Sequence, residues 1–266
     1  MEKTNSANEI KLTPNILIKV LSYLPNKEII ASKLLSRQFY GLLSDPIVAR
    51  ACLDIEKPKL ALNSIRSSIS QCLVQKTELA LEELKDSLDS NIGQVNLTTL
   101  NLNGLKIQNE NIIKAIFGVL SKEEHYVDKI WLSNNNFGRN IINPFIEYLE
   151  SCLKLKEVKL NASKLGKPEI EKVCGAMMKN ESVRILDLSG NVIGASGAKY
   201  IAEMLNANRT LEVLYLQKTS LGKEGFILIM EALQSNISLR KLHIEDNKVN
   251  AKSLKNFPLN KVKIYI

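Results

Sequence analysis

A repeat constrains the fold of this chain more than any other feature of its sequence. Its pattern is Leu-x-x-Leu-x-Leu-x-x-Asn-x-Leu, with other apolar residues at some of the leucine positions. Five regular copies, spaced 28 residues apart, begin at Val127, Leu155, Val183, Leu211 and Leu239. Repeats with a period of about 20 to 50 residues are typical of solenoids, propellers and similar arrays. We therefore expect a stack of similar units.

Two imperfect copies flank the regular ones. The first begins at Leu97 and has leucine at the asparagine position, and the last is a truncated copy with Leu259, Val262 and Ile264. Terminal repeats are atypical because one of their sides has no neighbouring repeat to stack against. We therefore predict six repeats and a truncated seventh over residues 97–266.

Each unit combines a short strand with a helix. The Leu-x-Leu stretch alternates like a strand, whereas the segment after the asparagine position has helical spacing, as at Ala198, Ile201 and Leu205. This pattern predicts the α/β class. An asparagine side chain can bond the backbone where the chain turns. The residues at that position are Asn135, Asn191 and Asn247, with Ser163 and Thr219 as weaker substitutes.

The repeats resemble the ribonuclease-inhibitor class of leucine-rich repeats, most clearly in residues 186–198 and in the helix that ends at Asn208 before Leu211. The resemblance covers residues 97–266. It implies a curved leucine-rich-repeat solenoid with parallel strands on its concave face and helices on its convex face. It also implies a role in binding proteins and not in catalysis, although a fold by itself identifies no ligand.

Residues 12–50 have the pattern of three short helices. Pro14 lies where helices often begin, Pro25 ends the first helix, and Asp45 and Pro46 end the third. Three such small helices expose more apolar surface than they can bury among themselves. The segment therefore predicts a docking partner.

Three pieces within residues 14–46 resemble the F-box, the helical module by which many proteins dock on the Skp adaptor of cullin-RING ubiquitin ligases. The chain departs from the family pattern at Thr13, where the family has leucine, and at Val48, near the place of a usual tryptophan. The resemblance implies a small all-helical F-box-like domain over residues 10–52. The docking residues that it implies are Pro14, Ile16, Leu17, Leu21, Leu24, Pro25, Leu35 and Phe39. The alternative is that these helices only cap the solenoid.

Residues 53–96 connect the two parts without a turn-rich linker. Leu79, Leu84 and Leu88, with neighbouring acidic residues, predict an amphipathic helix from about residue 77 to residue 90. We expect this segment to form a stiff helical bridge that caps the first repeat. In a ubiquitin ligase such a bridge would fix the distance between adaptor and target.

The outward side chains of the strands can be read from the repeats, because the residue between the last two leucines points away from the core. The candidate partner-binding face comprises Trp131, Lys159, Asp187, Tyr215, His243 and Lys263, with Asn101 at its start. Neighbouring positions add Ser133, Asn161, Gln217, Glu245 and Tyr265. Exposed tryptophan and tyrosine are typical of binding hot spots. The alternatives are that Trp131 packs over an unused surface and that Lys159 and Asp187 only form a weak cross-strand ion pair.

The sequence contains no catalytic or cofactor-binding motif of the nucleophile-elbow, zinc-protease, Walker or dinucleotide-binding type. His125 lies among acidic residues before a strand, which predicts a solvated charge cluster and not a general base. The four cysteines form no metal-binding pair, which predicts buried thiols of an intracellular protein. They are Cys52, Cys72, Cys152 and Cys174. We therefore predict no enzymatic activity, no cofactor and no metal site.

Charges are mixed along the chain. Residues 96–266 hold 24 Lys and Arg against 17 Asp and Glu, a surplus of +7, but no long basic run occurs. We therefore expect no nucleic-acid partner. No apolar stretch of about 18 residues and no apolar N-terminal segment is present. We expect no membrane partner and a cytoplasmic location.

Two hypotheses of function remain. In the first, the F-box-like segment docks the Skp adaptor while the concave face presents an unknown target protein for ubiquitination by proximity. In the second, the chain is a stand-alone binding or inhibitory module. Inhibition of basic ribonucleases fits poorly because it requires an acidic face, and no motif residue of a small-GTPase activator can be placed. The composition, rich in lysine, asparagine and isoleucine, with this domain pair resembles effectors that intracellular bacteria deliver into host cytoplasm.

Overall fold

The computed structural model describes residues 46–75, 78–92, 97–122, 125–138, 141–249, 257 and 262–266, with side chains from residue 57 onwards. The chain divides into two compact units, Met1–Lys59 and Leu60–Ile266. All eight predicted docking residues, from Pro14 to Phe39, lie outside the described part of the chain. Their role and the predicted domain boundaries stay predictions.

Within the described part of the chain, two helices precede the first strand. Helix α1 spans Pro46–Gln75 and helix α2 spans Glu78–Ile92. The buried side chains of α2 are Ala80, Leu84, Leu88 and Ile92. This spacing of four residues places them on one helical face, which confirms the predicted amphipathic helix. Leu79 is an exception to the prediction because it is 66% exposed.

Short parallel strands form one sheet in which each strand pairs with the next along the chain. The strands are β1 Thr99–Asn101, β2 Lys129–Trp131, β3 Glu157–Lys159, β4 Ile185–Asp187, β5 Val213–Tyr215, β6 Lys241–His243 and β7 Lys263–Tyr265. The helices that alternate with them are α3 Glu110–Lys122, α4 Asn143–Ser151, α5 Lys167–Lys179, α6 Gly194–Ala207 and α7 Gly222–Ser235. This is the predicted α/β leucine-rich-repeat solenoid, with its strands on the concave face and its helices on the convex face.

Strands and helices share one core layer. Leu186 and Leu214, the middle residues of β4 and β5, are fully buried, whereas the residues on either side of them are half-exposed. On the helical side, the ring centroid of Phe117 lies 5.0 Å from that of Phe145 and 5.2 Å from that of Tyr148. Burial of each such side chain contributes about 2 kcal/mol. Because the middle positions are committed to the core, the outward strand positions are the ones available to a partner.

Asparagine side chains hold the turns after the strands, as predicted. The carboxamide oxygen of Asn191 accepts the N–H groups of Ser163 and Leu165, at 3.0 Å each. Its NH2 group donates to one carbonyl oxygen of its own repeat and one of the preceding repeat, at 2.8 and 2.9 Å. Asn135 and Asn247 make contacts of the same kind. Each buried asparagine therefore joins its repeat to the one before.

Two repeats use a hydroxyl at this position. Ser163 Oγ donates to the carbonyl oxygen of Leu132 at 3.0 Å, and Thr219 Oγ1 donates to that of Leu216 at 2.7 Å. A hydroxyl has a single proton to donate, whereas a carboxamide has two. Ser163 and Thr219 therefore bond the backbone at this position, as predicted, and their weaker hold stays a prediction.

A second asparagine row, which the repeat pattern did not predict, lies where helices end. Asn180, Asn208 and Asn236 follow α5, α6 and α7 and are buried. The Asn208 NH2 group donates to the carbonyl oxygens of Met177 at 2.7 Å and Asn180 at 3.1 Å. Its carboxamide oxygen accepts the N–H groups two and three residues further on, at 2.9 and 2.8 Å. The row thus satisfies carbonyl groups that a helix end leaves without a partner.

Arg66 of α1 closes the first edge of the sheet. Its guanidinium donates to the carbonyl oxygens of Asn101 at 2.8 Å and Asn103 at 3.1 Å. One strand further on, the equivalent carbonyl oxygens of Trp131 and Ser133 accept backbone N–H groups of the preceding repeat, at 2.8 and 2.9 Å. Arg66 therefore replaces the two donors that a repeat before β1 would supply, and it protects an edge that is otherwise open to pairing.

Candidate protein-binding face

The outward side chains of neighbouring strands form a continuous row along the concave face. In strand order the row is Asn101, Trp131, Lys159, Asp187, Tyr215, His243 and Tyr265. We call these residues the concave row. Each of them is half-exposed, next to a strand residue that faces the core. The structure therefore brings together all the residues predicted for this row except the last.

The prediction that Lys263 belongs to the concave row was wrong. The register pairs Tyr265 with His243, Ile264 with Leu242, and Lys263 with Lys241. The truncated repeat is thus displaced by two residues from the alignment that its leucine-like positions suggest. A shift of two residues keeps every side chain on the same face of the sheet. Lys263 therefore faces outward as predicted, but it lies beside Lys241 and not beside His243.

Trp131 is engaged by its own neighbours. Its indole N–H donates to Glu157 Oε1 at 3.0 Å, and the same carboxylate oxygen lies 3.0 Å from the ammonium nitrogen of Lys159. That nitrogen lies 4.2 Å from the centroid of the Trp131 ring, a cation–π contact. The indole N–H and one face of the ring are therefore already in use, in agreement with the alternative that Trp131 packs over its neighbours.

Lys159 and Asp187 do not form the ion pair considered above. Lys159 pairs with Glu157, two residues before it on the same strand, where the carboxylate is 13% exposed. Asp187 Oδ1 accepts the backbone N–H of Ser189 at 3.0 Å, so its carboxylate holds the turn after β4. Each charged group therefore bonds a partner two residues away in sequence. The spacing between repeats does not predict such local partners.

Three aromatic rings of the concave row stack on one another across β5, β6 and β7. The centroids of Tyr215 and His243 lie 4.5 Å apart at an interplanar angle of 19°. Those of His243 and Tyr265 lie 4.1 Å apart at 4°. We call these three residues the aromatic stack. His243 Nδ1 also lies 3.3 Å from Glu245 Oε1, which orients the imidazole from the side.

Two apolar residues beside the stack were missed by the sequence analysis. Ile185 and Val213 open β4 and β5, are half-exposed, and face the same side of the sheet as Asp187 and Tyr215. The equivalent position holds a charged residue in β2, β3, β6 and β7. The sequence contained a signal for both residues. In an extended strand, the residue two positions before a member of the concave row faces outward as well.

Polar side chains line the turns beyond the concave row. Ser133 Oγ donates to Asn161 Oδ1, and Ser189 Oγ donates to Gln217 Oε1 at 2.6 Å. These bonds cross between neighbouring repeats and use the hydroxyl protons. The turn side of the face is consequently a fixed polar border, whereas the aromatic stack and its apolar neighbours lie inside it.

His125 is a structural residue, and the prediction that it is a solvated charge was wrong. The side chain is only 7% exposed. Val127 N–H donates to Nδ1 at 3.1 Å, so Nε2 carries the proton and donates to the carbonyl oxygen of Leu120 at 3.0 Å. Burial lowers the pKa of His125 below its ordinary value, the Leu120 bond acts in the opposite direction, and the charge of Lys154 lowers it further.

The described cysteines are free thiols. Cys72 and Cys174 are buried, as predicted, and burial raises the pKa of both thiols. Cys152 is partly exposed, and the side chain of Cys52 lies outside the described part. Among described residues no group of three His, Cys, Asp or Glu side chains is placed to hold a metal ion. In the same part of the chain, no helix combines the length and apolarity that crossing a membrane requires.

The one-strand, one-helix repeats, the parallel sheet and the asparagine rows define a leucine-rich-repeat protein. A family model described as leucine-rich repeat matches residues 179–202. A second family model, the F-box domain, matches residues 10–50. Both matches agree with the resemblances in the sequence, an F-box segment followed by leucine-rich repeats. No curated protein matches the sequence.

Solved structures with a similar trace include the tropomodulin C-terminal domain of Caenorhabditis elegans, with 16% identity over 60% of this chain and 93% of that chain, at a TM-score of 0.48. Actin-binding site 2 of leiomodin-1 has 19% identity over 60% and 76%, at a TM-score of 0.42. The leucine-rich-repeat-containing protein LegL7 from Legionella pneumophila has 15% identity over 70% and 69%, at a TM-score of 0.40. The fold assignment rests on the repeats and sheet of the chain itself.

Proposed function

We propose that this protein is a substrate-recognition subunit of a cullin-RING ubiquitin ligase. Its F-box would dock the Skp adaptor, and the concave face of its solenoid would hold a target protein. The observation that carries the proposal is the pairing, in one chain, of an F-box match at residues 10–50 with a repeat domain that presents half-exposed aromatic residues on one face. Such a subunit acts by binding, and catalysis is supplied by other subunits.

The proposed contribution of this chain to ubiquitination is proximity. A target held on the repeats is kept near the charged ubiquitin-conjugating enzyme, which raises the effective concentration of its lysines. This role needs no cofactor and no metal from this chain. It places the working protein in cytoplasm, and in host cytoplasm if the protein is a bacterial effector of the kind that its composition resembles.

Adaptor docking is tested by co-expression with the Skp adaptor and size-exclusion chromatography of the full chain. The test variant is Leu21→Asp with Leu24→Asp, two of the docking residues that the F-box resemblance implies. A matched control is Val192→Asp with Ile237→Asp, because these repeat-domain side chains are 76% and 73% exposed. Circular dichroism checks that both variants are folded.

A one-to-one complex that forms with wild type and with the control, but not with the folded test variant, is the expected result. No complex with wild type would contradict the ligase proposal. The chain would then be a stand-alone binding module, and its N-terminal helices would serve only as a cap.

A further inference from the structure

The aromatic stack is organised before any partner arrives. With centroid separations of 4.5 and 4.1 Å, Tyr215 and Tyr265 hold His243 between them. The ring of Tyr265 is also approached by Lys263 Nζ at 4.9 Å from its centroid. Immobilised aromatic side chains lose little conformational entropy on binding, which favours their use as anchors. The stack is consequently a better anchor than Trp131, whose N–H and ring face are occupied.

Apolar surface continues from the stack towards the centre of the sheet. Ile185 and Val213 are half-exposed at the start of β4 and β5, on the same face. In the neighbouring strands the equivalent positions hold Glu157 and Lys241. The apolar surface therefore extends from Tyr265 in β7 to Ile185 in β4, the middle strand of the sheet, a distance that a short stretch of a partner can cover.

Uncompensated positive charge lies beside this surface. Lys241 and Lys263 open β6 and β7, face the same side of the sheet as the stack and are exposed. Among the described residues neither has an ion-pair partner. By contrast, Lys159 is paired with Glu157. A partner that brings carboxylates to this border would gain attraction that the protein itself does not already satisfy.

The acidic groups of the same face are held by other contacts. Asp187 Oδ1 accepts the Ser189 N–H at 3.0 Å, and Glu245 Oε1 lies 3.3 Å from His243 Nδ1. Both carboxylates keep their negative charge, but they lie at the turn side of the face. Lys241 and Lys263 lie at the start of their strands, so positive charge prevails at that border.

The ring geometry favours a peptide over single-stranded nucleic acid. Bases bind to aromatic platforms by stacking on free ring faces. Here both faces of His243 and one face of each tyrosine are already covered within the stack. Within the stack, uncovered ring faces remain at its two ends alone. The outward ring edges and the tyrosine hydroxyls suit apolar side chains and hydrogen-bonding groups of a polypeptide.

We infer that the solenoid docks a short acidic peptide segment of its partner, with apolar or aromatic side chains on the aromatic stack, Ile185 and Val213, and carboxylates beside Lys241 and Lys263. This inference rests on the proposed function for the assignment of the concave face to the target. Beyond the proposed function, it specifies where on the concave face the partner binds and which kinds of side chain the bound segment carries.

The test is selection of random nine-residue peptides, displayed on phage, against the immobilised full chain. The expected result is enrichment of peptides in which aspartate or glutamate flanks aromatic or aliphatic residues. A synthetic copy of the most enriched peptide should bind at least about tenfold more weakly to Tyr265→Ala, and also to Lys241→Glu with Lys263→Glu. Its affinity should fall as salt is added.

Matched controls separate binding from folding. Tyr265→Phe keeps the stacked ring and should lose less affinity than Tyr265→Ala. Lys122→Glu with Lys223→Glu makes the same change of charge at exposed sites of α3 and α7 and should leave the affinity unchanged. Circular dichroism of each variant shows whether a loss of affinity reflects unfolding.

Three results would overturn the inference: no enriched peptide, enriched peptides without an acidic bias, or binding that both sets of concave-face variants leave unchanged. A labelled single-stranded oligouridylate that binds more tightly than the peptide and is lost with the same variants would instead identify a nucleic-acid site. The Skp complex is measured on the same proteins. Peptide selection that fails while this complex forms contradicts the inference alone, and the reverse outcome contradicts the ligase proposal alone.

Discussion

The guanidinium of Arg66 donates to the carbonyl oxygen of Asn101 at 2.8 Å, in place of the backbone N–H that a preceding strand would supply. One side chain of α1 thus ends the hydrogen-bond ladder of the sheet. Because a charged donor bonds backbone oxygens that are partly buried, its removal costs more than loss of an exposed contact.

Replacing Arg66 with alanine should therefore lower the stability of the repeat domain by about 2 kcal/mol, since it removes two charge-assisted hydrogen bonds. The measurement is urea unfolding followed by circular dichroism. Arg240→Ala is the control, because Arg240 is exposed and should leave the midpoint almost unchanged. Equal midpoints for the two variants would show that Arg66 does not cap the sheet.

The second asparagine row should be as important as the one that the repeat pattern predicts. Asn208→Ala leaves two carbonyl groups and two N–H groups of neighbouring repeats without their partner, and we expect a loss of about 3 kcal/mol. Asn206→Ala, at an exposed position two residues earlier, should cost at most about 0.5 kcal/mol. The same urea titration compares them, and a small loss for Asn208→Ala would refute the structural role.

The contacts of Trp131 can be followed by its own fluorescence, because the chain has 1 tryptophan. Glu157→Ala removes the acceptor of the indole N–H and the partner that holds Lys159 near the ring. We expect the emission to shift to longer wavelength as the ring gains contact with water. Glu212→Ala, a half-exposed acidic residue just before β5, is the control and should leave the emission spectrum unchanged. An unchanged spectrum for both variants would mean that Trp131 is not engaged by Glu157.

Folding stability should fall in acid because of His125. Its pKa lies below the ordinary value of 6.5, chiefly through burial. The unfolded chain therefore binds the proton more readily, and the contribution of neutral His125 is complete above pH 6.5 and is lost as the pH falls towards the folded-state pKa. Urea unfolding of wild type and His125→Gln at pH 5.5 and 7.5 tests this. The variant should lose less stability between the two pH values than wild type does, and an identical loss would contradict the assignment.

Periodicity made the architecture predictable. The strands occur at the Leu-x-Leu positions, the asparagines bond the turns, and the middle strand residues are buried, because each of these depends on local spacing and on stacking of like units. Helix α2 was predicted for the same reason. The F-box was predicted from the order of short helical pieces, and the family match at residues 10–50 agrees with it.

Side-chain partners on the concave face were not predictable in the same way. Trp131 and Lys159 share Glu157, and Asp187 bonds its own turn, because each group takes the partner that lies closest in space. His125 is buried, although its acidic neighbours in sequence suggest exposure. The burial and the hydrogen-bond partners of these side chains depend on which helices and strands pack against them, and the repeat pattern does not predict that packing.

The sequence by itself determined the repeat fold, the outward and inward faces of each strand, and the asparagine positions that join the repeats. Tertiary structure alone decided the register of β7, and with it the aromatic stack. Val262 and Ile264 both suit the buried face, and a shift of two residues exchanges them without turning any side chain over. Only the pairing of Ile264 with Leu242 places Tyr265 beside His243.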